Sequence, residues 1–339
     1  MIPFRVCWRY RMRLRTIVPL AAIWCISSTA APGAQSPDSA ATFPSRPVRL
    51  VSGFTSGGPP DTIGRILAAR LTELLGQQGI VDNRPGAGGT MGTKIVAEAA
   101  PDGHTLLVVS ASYAVVPAIY TKLPFDPRKD LAGITGIYTA AYVVVVPASL
   151  GVKSVQELIA LARSKPGQLN FGSAGIGSAT HFAAELFKAT AQIDIVHVPY
   201  KGIIEAVTDT MTGRVQLLMS APSTLSTPVK EGKLRALATT GRKRTLAYAD
   251  TPTVAEAGLP GYFWESWGGM FAPARTPRPI VDKLNRAVLT TLKMPDVQSR
   301  YAALAVKAFP TTPAEFDKFV DSEITRIAGL ARKAGIKPQ

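Results

Sequence analysis

Apolar positions along the chain follow two rhythms. Short, unbroken apolar runs rich in Val, Ile and Leu alternate with longer stretches in which apolar residues recur every three or four positions. The first rhythm marks buried strands and the second marks helices with one apolar face. A strand is predicted over 48–54, closing at Gly53. The turn 55–60 (TSGGPP) follows it and opens a helix over 60–75. In that helix Ile63, Ile66, Leu67, Leu71, Leu74 and Leu75 share a stripe, and Gly76 ends it. A short strand over 79–82 leads to a second Gly-rich turn at 83–89 and a helix over 90–99. A strand is expected over 104–110, and the β-branched run 138–146 reads as one continuous strand. Ser154 with Glu157 three residues later marks the start of a helix reaching Arg163. Strands over 169–172, 193–198, 215–220 and 234–239 alternate with helices over 180–188 and 202–212. From Thr276 the rhythm is helical, with Ile280, Leu284, Val288 and Leu292 on one face. A last helix starts at Thr312 and runs to about Leu330. Strands alternating with helices predict an α/β architecture with parallel sheets. The layout suggests an N-terminal domain, a middle domain inserted near 147–265, and a C-terminal return to the first.

The N-terminus has a different character. Arg5, Arg9, Arg11, Arg13 and Arg15 precede a mostly apolar run over 17–31, and small residues follow at Ala30, Ala31, Gly33 and Ala34. That order is the order of a cleavable export signal, and 15 residues are too few to span a bilayer comfortably. The expected leader is 1–34, with the cut between about 33 and 41. Trp24 before Cys25 argues against a lipidated cysteine. Both cysteines, Cys7 and Cys25, lie in the leader, so the exported body has no thiol for redox or metal chemistry. The first 41 residues hold five of the 38 basic residues and one of the 23 acidic ones, which leaves +11 of the formal +15 for the remainder. Such a balance attracts anions at long range. The basic residues are scattered, without zinc-finger spacing or basic–aromatic interleaving, which argues against nucleic acid.

Candidate chemistry is sparse. No H-E-x-x-H, G-x-S-x-G or Walker lysine is present, and the run 172–180 (GSAGIGSAT) fails as a dinucleotide fingerprint because Thr180 stands where its last glycine belongs. His104 and His197 read as structural, whereas His181 lies close enough to Gly177 and Ser178 to line a cleft. Asp61 reads most simply as a residue that stabilises a helix start. The pattern strand, Gly/Ser/Thr turn, helix occurs at 53–61 and again at 172–180. Turns of this kind aim backbone N–H groups and helix N-termini into one space, a way to bind an anion without a charged side chain. They also make tight strand-to-helix connections. Their occurrence at matching places in two half-chains favours a ligand cleft.

Several ordered motifs give the chain a family resemblance. Arg46-Pro47-Val48-Arg49 precedes 54–61 (FTSGGPPD). Further on come 83–89 (NRPGAGG), 101–107 (PDGHTLL), 123–130 (LPFDPRKD), 170–178 (NFGSAGIGS) with His181, 197–202 (HVPYKG), 252–261 (PTVAEAGLPG) and Ala272-Pro273-Ala274. Together they resemble the substrate-binding receptors of tripartite tricarboxylate transporters, also called Bug receptors. The resemblance implies a two-lobed periplasmic-binding-protein fold of the type II-like, Venus-flytrap kind, with a central, mostly parallel sheet in each lobe. Lobe 1 would comprise 43–146 and 266–339, and lobe 2 would comprise 147–265. It implies a soluble, monomeric periplasmic receptor without cofactor or metal that takes a small organic acid or acidic amino acid. The ligand would pass to two integral-membrane permease subunits. Carried onto this sequence, the ligand-binding positions are Phe54, Thr55, Gly57, Gly58 and Asp61 in the first lobe. In the second they are Ser173, Gly177, Ser178, Thr180 and His181. Tyr200 and Lys201 fall where the cleft wall should be, and Asp209 follows on the next helix. One departure stands after Leu217-Leu218-Met219. Family members often carry Phe-Asp or a similar pair there, and this chain has Ser220-Ala221-Pro222-Ser223. A ligand sensor feeding a signalling system, or an α/β enzyme acting on a small acid, are the alternative readings.

Overall fold

The computed structural model describes residues 42–338. The expected leader, its cut site and both cysteines lie outside the described residues. Among the described residues no helix is long and apolar enough to cross a membrane.

In chain order the elements begin with β1 (Val48–Ser52), α1 (Pro59–Leu75), β2 (Gly79–Asn83), α2 (Thr90–Ala97), β3 (Thr105–Ser110), α3 (Ser112–Ile119) and β4 (Leu131–Ala141). Next come β5 (Val143–Pro147), α4 (Val155–Ser164), β6 (Asn170–Ser173), α5 (Ala179–Ala191), β7 (Val196–Pro199) and α6 (Ile203–Met211). The chain continues with β8 (Leu217–Ser220), α7 (Pro222–Lys230), β9 (Leu234–Thr239) and β10 (Glu265–Pro273). It ends with α8 (Arg278–Lys293), α9 (Pro295–Ala303), β11 (Lys307–Ala308) and α10 (Pro313–Lys333). The local signals act as expected. Gly76 closes α1 in the left-handed region, where a side chain would be strained. Ser154 accepts the Glu157 N–H, and Thr312 with Glu315 forms a reciprocal capping box.

The strands form two sheets, one in each lobe. The first is ordered β11-β4-β10-β3-β1-β2 and the second β7-β6-β8-β5-β9. Most strands of each sheet run one way, as expected, and β10 in the first sheet and β5 in the second run against them. β1 runs parallel to β2 and β3, and β6 runs parallel to β7 and β8. β10 is antiparallel to β3 and β4, and β5 is antiparallel to β8 and β9. The physical reason lies in the connections. Parallel neighbours need a crossover, usually helical. β5 and β10 instead enter their sheets directly from the other lobe, with no helix to reverse the chain.

The run 138–146 is likewise two strands, not one. Sheet membership changes at Tyr142, between β4 and β5, whereas the division drawn from sequence at 146/147 cuts through β5. No Gly or Pro marks the break. β5 is buried on both faces, with Val144 and Val146 in a core shared by the two sheets and Val143 and Val145 in the outer core of the second. An uninterrupted valine run results. The shared core joins Val109 and Phe271 of the first sheet to Phe171 and Met219 of the second. Leu50, Leu67, Met270 and Val288 fill the outer face of the first sheet.

The two inter-lobe passages, at Tyr142 and over 240–264, lie side by side. Thr240 Oγ1 accepts the Tyr142 N–H at 2.8 Å and donates to the Trp264 carbonyl at 2.7 Å. The Tyr142 carbonyl accepts the Thr240 N–H at 2.9 Å. All three residues are buried. Replacing Thr240 by Val keeps the shape but strands a buried N–H and a buried C=O, at about 1–3 kcal/mol each. Urea unfolding of Thr240→Val should therefore show a loss of at least about 2 kcal/mol, with Thr240→Ser close to the parent. A Val variant as stable as the parent would show that this hydroxyl does not hold the passages together.

Candidate functional site

In open α/β sheets, ligands bind beyond the carboxyl ends of the strands. Here β1, β3, β6 and β7 all end at one cavity, and the helices that follow them begin there. From the first lobe the wall is made by Phe54, Thr55, Gly58, Pro59 and Pro60 before and within the start of α1, by Ser110 and Ser112 around the start of α3, and by Tyr138 and Tyr142. The second lobe supplies Ala174, Ser178, Ala179 and Thr180 around the start of α5, Ile203 at the start of α6, and Ser220 at the end of β8. The space open to water-sized bodies is about 40 Å³. None of the described residues lining the cavity is charged.

Hydroxyl pairs organise the wall. Ser178 caps α5 by accepting the His181 N–H at 3.2 Å and pairs with Thr180 Oγ1 at 3.0 Å. Thr180 Oγ1 also accepts the Ala174 N–H at 2.9 Å, which folds the turn back onto the helix start. Across the lobes, Ser112 Oγ accepts the Ala179 N–H at 2.9 Å and pairs with Ser110 Oγ at 2.9 Å. The Thr180 N–H, in the first turn of α5, has no partner among the described residues.

The lobes touch closely around the cavity. Tyr120 of the first lobe donates its hydroxyl to the Ile176 carbonyl of the second at 3.1 Å. A Cβ on Gly88 would stand 2.7 Å from the Gly177 carbonyl carbon. A Cβ on Gly202 would collide with Thr55 Oγ1. The apposed lobes therefore pass each other at glycine backbones.

Of the positions expected to bind ligand, Phe54, Thr55, Gly58, Ser178 and Thr180 line the cavity. Others stand one layer behind. The Gly57 N–H donates to Asp61 Oδ2 at 3.0 Å, and Arg65 pairs with Asp61 Oδ1 at 2.9 Å. Burial disfavours the Asp61 carboxylate, but the Arg65 and Gly57 bonds outweigh it and hold its pKa below the usual range. Ser173 Oγ meets His197 Nε2 at 2.6 Å and accepts the Gly175 N–H at 3.1 Å. The Gly177 N–H donates to His181 Nδ1 at 3.4 Å, and the His181 ring stacks on His197 at 4.2 Å. Tyr200, Lys201 and Asp209 do not line the cavity. Tyr200 donates to Asp209 Oδ2 at 2.8 Å, Asp209 pairs with Arg214 at 3.3 Å, and Lys201 is exposed.

Ser110, Ser112, Tyr138, Tyr142 and Ile203 also line the cavity, and no sequence pattern marks them as site residues. Ser110-Ala111-Ser112 is a strand-to-helix turn like the other two, but it lacks glycine and so carried no signal. Tyr138 and Tyr142 lie in an uninterrupted apolar run, where no pattern distinguishes them.

Two sheets joined by paired passages, with a small-molecule cleft at their carboxyl edges, define a two-lobed binding protein of the periplasmic class. The chain belongs to the tripartite tricarboxylate transporter receptor family, whose model matches residues 63–336. Among curated relatives, Protein BugT of Bordetella pertussis is 34% identical, covering 94% of this chain and 98% of its own. A protein from the tcbD-tcbE intergenic region of Pseudomonas sp. strain P51 is 36% identical, covering 91% of each chain. Among solved structures, an R. palustris protein with adipate superposes with a TM-score of 0.84 at 35% identity, covering 88% of this chain and 100% of the other. The Rhodopseudomonas palustris protein MatC with bound malate gives 0.82 at 33% identity, covering 85% and 99%. The family is one of transporter receptors.

Burial lowers the pKa of His181 to about 4. Burial first, and the nearby His181 second, lower that of His197 to about 3. Both rings are neutral when folded, whereas unfolded histidines protonate near pH 6.5. Below that value the unfolded state binds more protons, so stability falls as pH drops from about 6.5 toward 4. Melting temperature should decline over this window, and His181→Asn should flatten the slope. An unchanged slope in the variant would remove His181 from the account.

Proposed function

We propose that this protein is an extracytoplasmic receptor that captures a small carboxylate in the cleft between its lobes. It then delivers the ligand to two permease subunits of a tripartite tricarboxylate-type transporter. In this reading the lobes divide at Tyr142 and near Trp264, and the leader sends the chain to the periplasm. The observation that carries the proposal is the convergence of helix starts from both lobes on one uncharged cavity. Helix starts generally bear a partial positive charge and unpaired N–H groups. Two solved relatives hold carboxylates, adipate in one and malate in the other. Phe54, Thr55, Gly58, Ser178 and Thr180 are assigned to ligand contact. Gly57, Asp61, Ser173, Gly177 and His181 are assigned to holding the two turns, and Tyr200, Lys201 and Asp209 to the outer rim.

Capture requires the lobes to close, and Gly202→Ala tests that step. Gly202 has φ −155°, an extended backbone that alanine adopts freely. The atoms nearest the added methyl belong to Thr55 and to the end of the Glu205 side chain. A carboxylate at 100 times its Kd should stabilise the parent by about 2.7 kcal/mol in a thermal-shift titration. In Gly202→Ala the same acid should bind at least about tenfold more weakly, which is about 1.4 kcal/mol, with the unliganded melting temperature little changed. Equal affinity in the variant would sink closure as the capture step. A carboxylate panel that stabilises neither protein would sink the ligand class.

A further inference from the structure

The helix starts around the cavity are not equivalent. α1 opens with Pro59 and Pro60, which have no N–H to offer. Its next residue, Asp61, brings a carboxylate of its own, already paired with Arg65 and the Gly57 N–H. α6 has Glu205 in its first turn. An acid at a helix start offsets the field that would hold a ligand anion there. α3 and α5 have no acid in their first turns. They are also joined across the lobes by the Ala179 N–H to Ser112 Oγ bond. α7 begins close by, but of that connection only Ser220 lines the cavity. Thr224 donates to the Ala221 carbonyl at 2.9 Å, which leaves Ser220 to donate to Thr224 Oγ1 at 2.9 Å and to present only an acceptor.

Donors can be followed the same way. Ser110 and Ser112 share one hydroxyl hydrogen between them, which leaves one free. Ser178 and Thr180 do the same. The Thr180 N–H makes a third donor. Three donors suit one carboxylate, whose two oxygens offer about four acceptor positions. Thr55 and Tyr138 add single hydroxyls, enough for one neutral oxygen. The Tyr142 hydroxyl is already given to Ser266. A second buried carboxylate, or a ligand ammonium, would meet no opposite charge on the wall and would keep a large desolvation penalty.

Building on the carboxylate reading, we infer that the cleft selects a one-headed acid. Its carboxylate sits between the starts of α3 and α5, and its uncharged, largely apolar body lies against Phe54, Pro59, Pro60 and Ile203. Di- and tricarboxylates and amino acids are the wrong charge types for this wall.

Isothermal titration of protein expressed from the full chain tests this with matched sets. Butyrate is compared with succinate and alpha-aminobutyrate, hexanoate with adipate and norleucine, and phenylacetate with para-phenylenediacetate and phenylglycine. In at least one set the one-headed acid should bind tenfold or more tighter than both relatives. Thr180→Val should weaken that acid at least tenfold, with the melting temperature of the free variant reporting that it folds. A two-headed or amino relative binding as tightly as its one-headed counterpart overturns the inference and leaves the carboxylate reading standing. Undiminished affinity in Thr180→Val overturns the seat of the head. If none of the nine compounds binds, the carboxylate reading falls and the inference falls with it.

Discussion

Everything in this molecule depends on helix starts from two sheets being held face to face. A single hydrogen bond epitomises it, the one from the Ala179 N–H at the head of α5 to Ser112 Oγ at the head of α3. Helix starts carry unpaired donors and partial positive charge wherever they occur, and in most places water uses them up. Here buried strands deliver them to a small cavity walled by both lobes. Glycine backbones at Gly88, Gly177 and Gly202 let the lobes come close enough to enclose it. An anion can then be held without arginine or lysine, and the positive charge of the chain as a whole acts at long range.

The sheets explain why the cavity lies where it does. Parallel strands end on one edge, and the helices after β1, β3, β6 and β7 begin there. β5 and β10 run the other way because they carry the chain between lobes. Thr240 ties the two passages together. A paired connection joins the lobes, and one buried core continues between them from Val109 to Met219.

Much of this was legible in the sequence. The strand–turn–helix units around 53–61 and 172–180 were readable because glycine and proline mark turns. Ser154, Thr312 and Gly76 marked helix ends because capping is local chemistry. The split at Tyr142 was not legible, since both strands beside it are buried and share one apolar run. Nor was Ser110-Ala111-Ser112, because serine and alanine serve in any setting. Of the residues assigned to the two turns, Asp61 and His181 carry the most suggestive side chains. Neither lines the cavity, and Gly57 and Gly177 donate their N–H groups to them. Local sequence shows which groups gather near a turn. Which of them face the ligand is decided by lobe packing, a long-range property.

In the proposed receptor, two helix starts, and no cationic side chain, hold the ligand's charge. A crystal structure of the protein with a bound acid tests it most directly. The carboxylate should lie at about 3 Å from the Thr180 N–H and within hydrogen-bond reach of the Ser110–Ser112 hydroxyls. A carboxylate paired with an arginine or lysine, or seated at the start of α1, would contradict it.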